Sequence, residues 1–275
     1  MRLIHSPKCL EYEIPGHPES PQRLRLAAQY LRSKGYAFEE PSPCSEEDLQ
    51  LVHTPEHIER IRSARFFEVD TPAPQNIFTY AKLAVGAAIQ ASQKNGFSLM
   101  RPPGHHAGKS FHGGFSYLNN IAVAVRKKDT PALILDIDGH HCNGTQDIFA
   151  GEERIRVISL HKAGFPGTGL TSGKNYANNL FKGEIGDRAY LNALQELLST
   201  VSDVECIAVS AGFDAYSSDP LASLGLSSTC FWHIGSMIRQ LELPCFCTLE
   251  GGYAEEDLGR NIHYFISGLQ GVAPD

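Results

Sequence analysis

Two paired-histidine segments carry the strongest chemical signal in this chain: Arg-Pro-Pro-Gly-His-His at 101–106 and Asp-Ile-Asp-Gly-His-His at 136–141. Four of the twelve histidines stand in these pairs. Asp138, Gly139 and His140 form an Asp-x-His triplet that can present a carboxylate oxygen and an imidazole nitrogen to one metal ion. Donors of this kind suit zinc or iron. A structural zinc site would close its shell with cysteines, yet none of the seven cysteines has finger spacing, and Cys245 and Cys247 read as strand residues. The pattern predicts a catalytic site with a coordination position left open for water.

The elements that position these residues alternate short apolar runs with amphipathic segments. Helices are expected over 22–34, stopped by Gly35, and over 54–65, where Thr54-Pro55 reads as N-cap and first turn. Further helices are expected over 77–94 and 115–128. Buried strands are expected over 132–137, 156–160, 206–210 and 244–249. Runs apolar on both faces and separated by helices predict an α/β fold, a mainly parallel sheet sandwiched by helices, in one domain spanning 1–275. In such sheets the reactive groups gather beyond the carboxyl ends of the strands. Asp136 and Asp138, His161, Ala211-Gly212-Phe213-Asp214, and Glu250-Gly251-Gly252-Tyr253 each fall at such an end. The glycine-rich stretch 162–175 reads as a functional surface loop.

Composition narrows the function. A chain of 275 residues with 42% hydrophobic and 20% charged content reads as a soluble globular protein with a sizeable core. A net charge of −7 argues against nucleic-acid binding. Seven scattered cysteines, no signal-peptide core and no membrane-length apolar run predict a reducing, cytoplasmic setting without membrane attachment. Nothing in the sequence bears on oligomeric state.

Taken in order, the motifs resemble the zinc-dependent histone deacetylase superfamily, which includes acetylpolyamine amidohydrolases. The matching segments are Gly16-His17-Pro18-Glu19, Arg101 to Ala107, Gly114 to Asn120, Asp136 to Gln146, Phe165 to Gly169, Ala211 to Asp214 with Asp219-Pro220, and Glu250 to Tyr253. They cover nearly the whole chain, and their ordered set is far more specific than any one piece.

The resemblance implies an arginase/deacetylase-like fold and roles for named residues. Asp138, His140 and Asp214 match the metal ligands, two carboxylates and an imidazole, holding zinc, with iron(II) able to replace it. His106 matches the group that takes a proton from the attacking water and returns it to the leaving amine, with His105 as its electrostatic partner. Adjacent histidines seldom both point into a core, so without the resemblance an inert, exposed pair would be expected. Asp136 matches the carboxylate that orients His105. Asn143 stands where some members carry a second aspartate and class II-like members carry asparagine; an uncharged partner raises the basicity of His106 less. Tyr253 matches the phenol that donates to the oxyanion, and the flanking Gly251-Gly252 would let its loop flex. Gly114, Phe115 and Phe165 match the walls of an acyl-lysine tunnel, and Asp70 a rim carboxylate that binds substrate amides. Arg23 matches a buried arginine near an acetate exit channel.

Two potassium ions are also implied. One would rest on Asp136, Asp138, His140, Ser159 and Leu160, and a second on backbone oxygens near Phe149, Glu152 and Ile155. One departure stands out. Cys142 replaces the first glycine of the family's His-His-Gly-Asn-Gly; a positive φ there would cost on the order of 1 kcal/mol or more. A small buried thiol beneath His140 is the expected arrangement.

The expected activity is removal of acetyl or short acyl groups from lysine side chains of a protein or peptide. An acetylpolyamine deacetylase acting on a small acetylated amine is the alternative. Relatives of that kind often carry an acidic gatekeeper near Asp-Pro, where this chain has Leu221. A dinuclear manganese ureohydrolase would need carboxylates where Cys142 and Tyr216 stand. A catalytically inactive acyl-lysine binding module would lack a ligand, a tandem histidine or the tyrosine; all are present.

Overall fold

A computed structural model describes residues 1–274. In chain order its elements are β1 (Leu3–Ile4), a 3-10 turn (Pro7–Leu10), α1 (Pro21–Ser33), β2 (Phe38–Glu39), α2 (Glu46–Gln50), α3 (Pro55–Ser63), α4 (Ile77–Lys94), β3 (Phe97–Ser98) and α5 (Asn120–Lys128). They continue with β4 (Ala132–Asp136), α6 (Asn143–Phe149), β5 (Ile155–Lys162), β6 (Tyr176–Phe181), α7 (Gly186–Leu198), β7 (Cys206–Ala211), α8 (Ser228–Arg239), β8 (Cys245–Leu249) and α9 (Glu255–Gln270). Among the described residues one eight-stranded sheet has the order β2-β1-β3-β8-β7-β4-β5-β6. Every pairing is parallel. The expected α/β architecture is therefore present.

The four strands expected from the sequence form the centre of the sheet, beside the two-residue β3 and the half-buried edge strand β6. β4 and β7 are buried at every residue, as strands covered on both faces must be. Register sets Asp136 level with Ser159 of β5 and Ser210 of β7. The chain beyond these strand ends therefore converges.

Three expected helices appear within a residue or two of their sequence bounds, and Thr54 caps α3 by accepting from His57 N–H. The helix expected over 115–128 is shorter. It begins at Asn120, where Asn119 accepts from Ala122 N–H at 3.0 Å. The stretch before it is a loop: Phe115 has φ +68°, a conformation a helix cannot contain. Loss of that first turn frees Phe115 to face the cavity described below.

A buried ion cluster joins the N-terminal segment to the loop ahead of the first histidine pair. Arg101, fully buried, donates to both Glu19 carboxylate oxygens at 2.6 and 2.9 Å and to the carbonyls of Cys9, Tyr12 and Glu19. Burial opposes the Arg101 charge, but Glu19 outweighs it and raises the guanidinium pKa. Arg23 of α1 donates to Glu19 as well, at 3.0 Å. Removing one member of such a cluster leaves a buried charge uncompensated. Arg101→Ala should lower the unfolding free energy by about 3–5 kcal/mol in denaturant titrations; an effect under about 1 kcal/mol would mean the cluster does not hold this loop.

Candidate active site

The site lies beyond the carboxyl ends of β4, β7 and β8. Asp138 follows β4, Asp214 follows β7, and His140 lies two residues beyond Asp138. One donor atom from each of these three lies within 4.8 Å of the others. His140 Nδ1 is 2.7 Å from Asp214 Oδ2 and 3.1 Å from Asp138 Oδ1. Asp214 Oδ2 is buried and makes no well-formed hydrogen bond, the geometry of lone pairs converging on one point rather than on each other. Burial opposes a positive charge on His140, yet Asp214 and Asp138 outweigh it and raise its pKa to about 11. Burial and Asp138 push Asp214 up to about 7, against the opposing pull of His140. Two oxygens and a nitrogen that favour a positive charge between them fit a divalent cation.

The remaining lone pairs of the carboxylates are held by backbone. Asp138 accepts from His140 N at 2.8 Å and from Gly251 N at 2.8 Å. Asp214 accepts from Gly139 N at 2.6 Å. These bonds explain two glycines. A Cβ on Gly251 would lie 2.6 Å from Asp138 Oδ2 and 2.8 Å from Asp214 Oδ2, and one on Gly212 would lie 2.1 Å from Asp138 Oδ2. The sequence suggested flexibility at Gly251; the structure gives close approach of backbone to carboxylate as the reason for the residue.

Both histidines of the first pair face this point, with rings 4.0 Å apart. Both are buried, contrary to the general expectation for adjacent histidines, because each has its own polar partner. His105 Nδ1 is 3.0 Å from Asp136, and His106 Nδ1 is 2.6 Å from Asn143 Oδ1. The partners split their basicity. Burial disfavours charge on His105, but Asp136 and Asp138 overcome it and raise its pKa to about 10. Burial lowers His106 well below the ordinary histidine value, and the charges of His105 and His140 add to the effect. An amide oxygen only accepts, so His106 Nδ1 carries its hydrogen and Nε2 keeps a free lone pair.

His105, His106 and His140 line a cavity of about 300 Å³ together with Asp70, Gly114, Phe115, Phe165, Leu221 and Tyr253. Phe115 meets Tyr253 edge-on at 5.8 Å, and Phe165 lies 5.7 Å from His106. The positive φ of Phe115 is held by its N–H donating to Thr71 Oγ1 at 2.8 Å. Phe165 and Leu221 are partly exposed at the mouth. Burial raises the Tyr253 pKa well above that of a free phenol, so it keeps its proton. Arg23 is buried rather than an exposed helix charge. It lies 4.5 Å from the Tyr253 ring centroid and donates to the carbonyls of Gly252 and Glu250.

Several sequence-singled residues lie elsewhere. His141, the second of the other pair, turns away to bond Thr168 and Gln146. His161 packs against it at 4.8 Å, and Ser159 bonds His161 Nδ1. Tyr216 accepts from Arg260 at 2.8 Å. Cys142 is fully buried with φ −76°, so the feared left-handed strain is absent. Burial first, then the Asp136 charge, keeps its thiol protonated, with Ser159 as a hydrogen-bond partner. The carbonyls of Phe149, Glu152 and Ile155 all accept from the Asn175 amide.

Besides Glu19, two buried carboxylates in the matched motifs carry no role from sequence. Glu250 accepts from Gly104 N and His105 N at 2.7 and 3.1 Å, clamping the tandem-histidine loop to the end of β8. Burial raises its pKa to about 7 against the pull of His105. Asp219 accepts from Tyr253 N at 2.6 Å and Leu221 N at 2.9 Å, tying two sides of the cavity together. Their only sequence signal was a charge inside a motif otherwise built of glycine and apolar residues.

The carboxyl edge of a parallel sheet here gathers a trio that could hold a metal ion, a histidine pair and a tyrosine. The sequence profile of the histone deacetylase domain matches residues 17–269. The chain is 36% identical to a probable deacetylase of Methanothermobacter thermautotrophicus, over 98% of this chain and 91% of that one. It is 33% identical to acetylpolyamine amidohydrolase 1 of Pseudomonas aeruginosa, over 76% of this chain and 67% of that one. The crystal structure of the HD domain of HDA15 superposes with a TM-score of 0.92 at 30% identity, covering 100% of this chain and 89% of that one. An acetylpolyamine aminohydrolase from Burkholderia pseudomallei shares the fold with a TM-score of 0.91 at 21% identity, covering 99% of each chain. The protein belongs to the histone deacetylase family. No helix among the described residues is long and apolar enough to cross a membrane.

Gly251→Ala places a methyl group against both cation-facing carboxylates. It should weaken divalent-ion affinity by roughly 10–100-fold, as for other changes just outside a ligand shell. Chelator competition with zinc would measure the loss, and unchanged affinity would show that the two carboxylates do not share one ion.

Proposed function

We propose that this protein is a metal-dependent amidohydrolase that removes acetyl or short acyl groups from lysine side chains of proteins or peptides. The observation that carries this reading is one cavity, walled by Phe115 and Phe165, that His105, His106, His140 and Tyr253 line, with Asp138 and Asp214 buried against His140. A divalent cation held by the trio, zinc or iron(II), would supply Lewis acidity toward the amide carbonyl and water.

The side chains account for the remaining steps. His106 Nε2, neutral and unprotonated, receives the proton of the attacking water and delivers it to the leaving amine. His105 stays protonated beside Asp136 and supports the negative charge that develops on the reacting centre. The Tyr253 hydroxyl donates to the former carbonyl oxygen as it becomes anionic. Phe115 and Phe165 exclude water and flank the methylene chain of the substrate. Asp70 at the mouth is placed to accept from substrate amides. Asp219 and Glu250 are positioning residues, acting through the backbone of Tyr253 and His105.

Acetylpolyamine cleavage is the second reading, favoured by the relatives that carry that name. The Leu221 side chain at the mouth supports acyl-lysine instead, because it offers no charge to a second ammonium group. A panel of acyl-lysine peptides and acetylpolyamines, assayed on enzyme loaded with a defined metal, decides between the two. Cleavage of neither class would sink the reading. Tyr253→Phe should lower kcat by roughly 10²–10³-fold while keeping affinity for an acyl-lysine peptide; a pure binding module would show no turnover to lose. Asn143→Asp sets a carboxylate against His106, favours its protonated form and raises its pKa. The acid limb of kcat/KM should then move to higher pH by about one unit or more, and an unmoved limb would remove His106 as the base.

A further inference from the structure

The resemblance implies a potassium ion held by backbone oxygens near Phe149, Glu152 and Ile155, and the residues here do not fit one. The Asn175 amide nitrogen stands among those three carbonyls, 2.7 Å from Phe149 O and 3.1 Å from both Glu152 O and Ile155 O. Asn175 is buried, and its other amide atom is engaged too: Oδ1 accepts from Gly151 N at 3.2 Å. Its backbone is fixed by Val157 N donating to Asn175 O at 2.9 Å. The amide orientation is thus set from both ends, with the donor toward the carbonyls and the acceptor toward the N–H.

A cation shared by the three carbonyls would compete with the N–H bonds for the same lone pairs. Displacing the amide would leave a buried donor without acceptors. The surrounding charges give a cation no compensating excess of carboxylate. Glu152 pairs with Arg126 at 2.8 Å, Glu153 with Lys174 at 2.7 Å, and Asp129 with Arg154 at 2.9 Å.

The structure assigns this position to Asn175: the side-chain amide takes the place of the second alkali-metal ion, and the protein binds none there. The bonds it makes close the turn between α6 and β5. Helix α6 begins with Asn143, the partner of His106, so its far end is fastened by a covalent part of the chain. The expected ion on Asp136, Asp138, His140, Ser159 and Leu160 is a separate matter, and Asn175 makes no hydrogen bond to those residues.

The test uses the metal-loaded full chain and two readouts that do not involve turnover. Crystals grown with thallium(I) in place of potassium should show no anomalous peak within reach of the Phe149, Glu152 and Ile155 carbonyls. A peak there, with the Asn175 side chain turned out, would overturn the assignment without help from any variant. In the second arm, Asn175→Asp replaces two donors by acceptors and converts the cage into a cation site. Its melting temperature should rise by roughly 3 °C more than that of the wild type when 100 mM potassium replaces tetramethylammonium. Equal potassium responses in the two proteins would mean that the cage has no intrinsic affinity for the ion, and that Asn175 replaces nothing.

Discussion

Four buried carboxylates at one sheet edge set the terms for this structure. Asp136, Asp138, Asp214 and Glu250 are each at most 1% exposed, beside the ends of β4, β7 and β8. Burying like charges together is costly unless each is hydrogen-bonded or paired. Every local feature of the site answers that cost. Asp136 has His105, Glu250 has the N–H groups of Gly104 and His105, and Asp214 has Gly139 N. Asp138 takes two backbone N–H groups, and glycine at 212 and 251 makes the necessary approach sterically allowed. What these bonds leave over converges with His140 on a single point. The room for a cation there is a consequence of how the rest of the edge is satisfied.

The parallel sheet makes this possible. Parallel strands end on the same side, so loops far apart in sequence deliver their first residues to one place. That part was legible from the chain alone. The runs at 132–137, 156–160, 206–210 and 244–249 are apolar on both faces, and a doubly covered strand has no other way to read. The outer strands were not legible for the opposite reason. β1, β2 and β3 are two residues each, too short to establish a period, and β6 is a half-buried edge with two asparagines in Tyr-Ala-Asn-Asn-Leu-Phe. The helix starts later than residue 115 because its Ala/Val content lies after Asn120, not before it. The tandem asparagines at 119–120 were the cap signal that marks the true start.

Within the site, legibility tracked the range of the interaction. The trio and the histidine pair could be found because their residue types are rare and locally spaced. The bonds by which Glu19, Asp219 and Glu250 join separate segments reach partners 34 to 146 residues away, so no local pattern reveals them. Asn175 is the extreme case. Its three acceptors are backbone carbonyls, which any residue supplies, and an asparagine in a loop has several commoner explanations. An ion and an amide nitrogen satisfy the same oxygens, and only the three-dimensional arrangement tells them apart.

The histidine pair shows how much the partners decide once the fold has brought like groups together. His105 and His106 are consecutive, buried to nearly the same degree and have ring centroids 4.0 Å apart. Nothing intrinsic distinguishes them. Burial lowers the pKa of both rings, but the carboxylates beside His105 outweigh it and raise that ring, while the Asn143 amide only partly offsets burial at His106 and positive charge on His105 lowers its neighbour further. The asymmetry is self-reinforcing: positive charge on His105 disfavours a second proton on His106 and leaves its Nε2 free. Acid–base chemistry at neutral pH needs such a division between groups of the same kind. The opposite pKa shifts of His105 and His106 arise from burial, from the carboxylates beside His105 and from the positive charges beside His106.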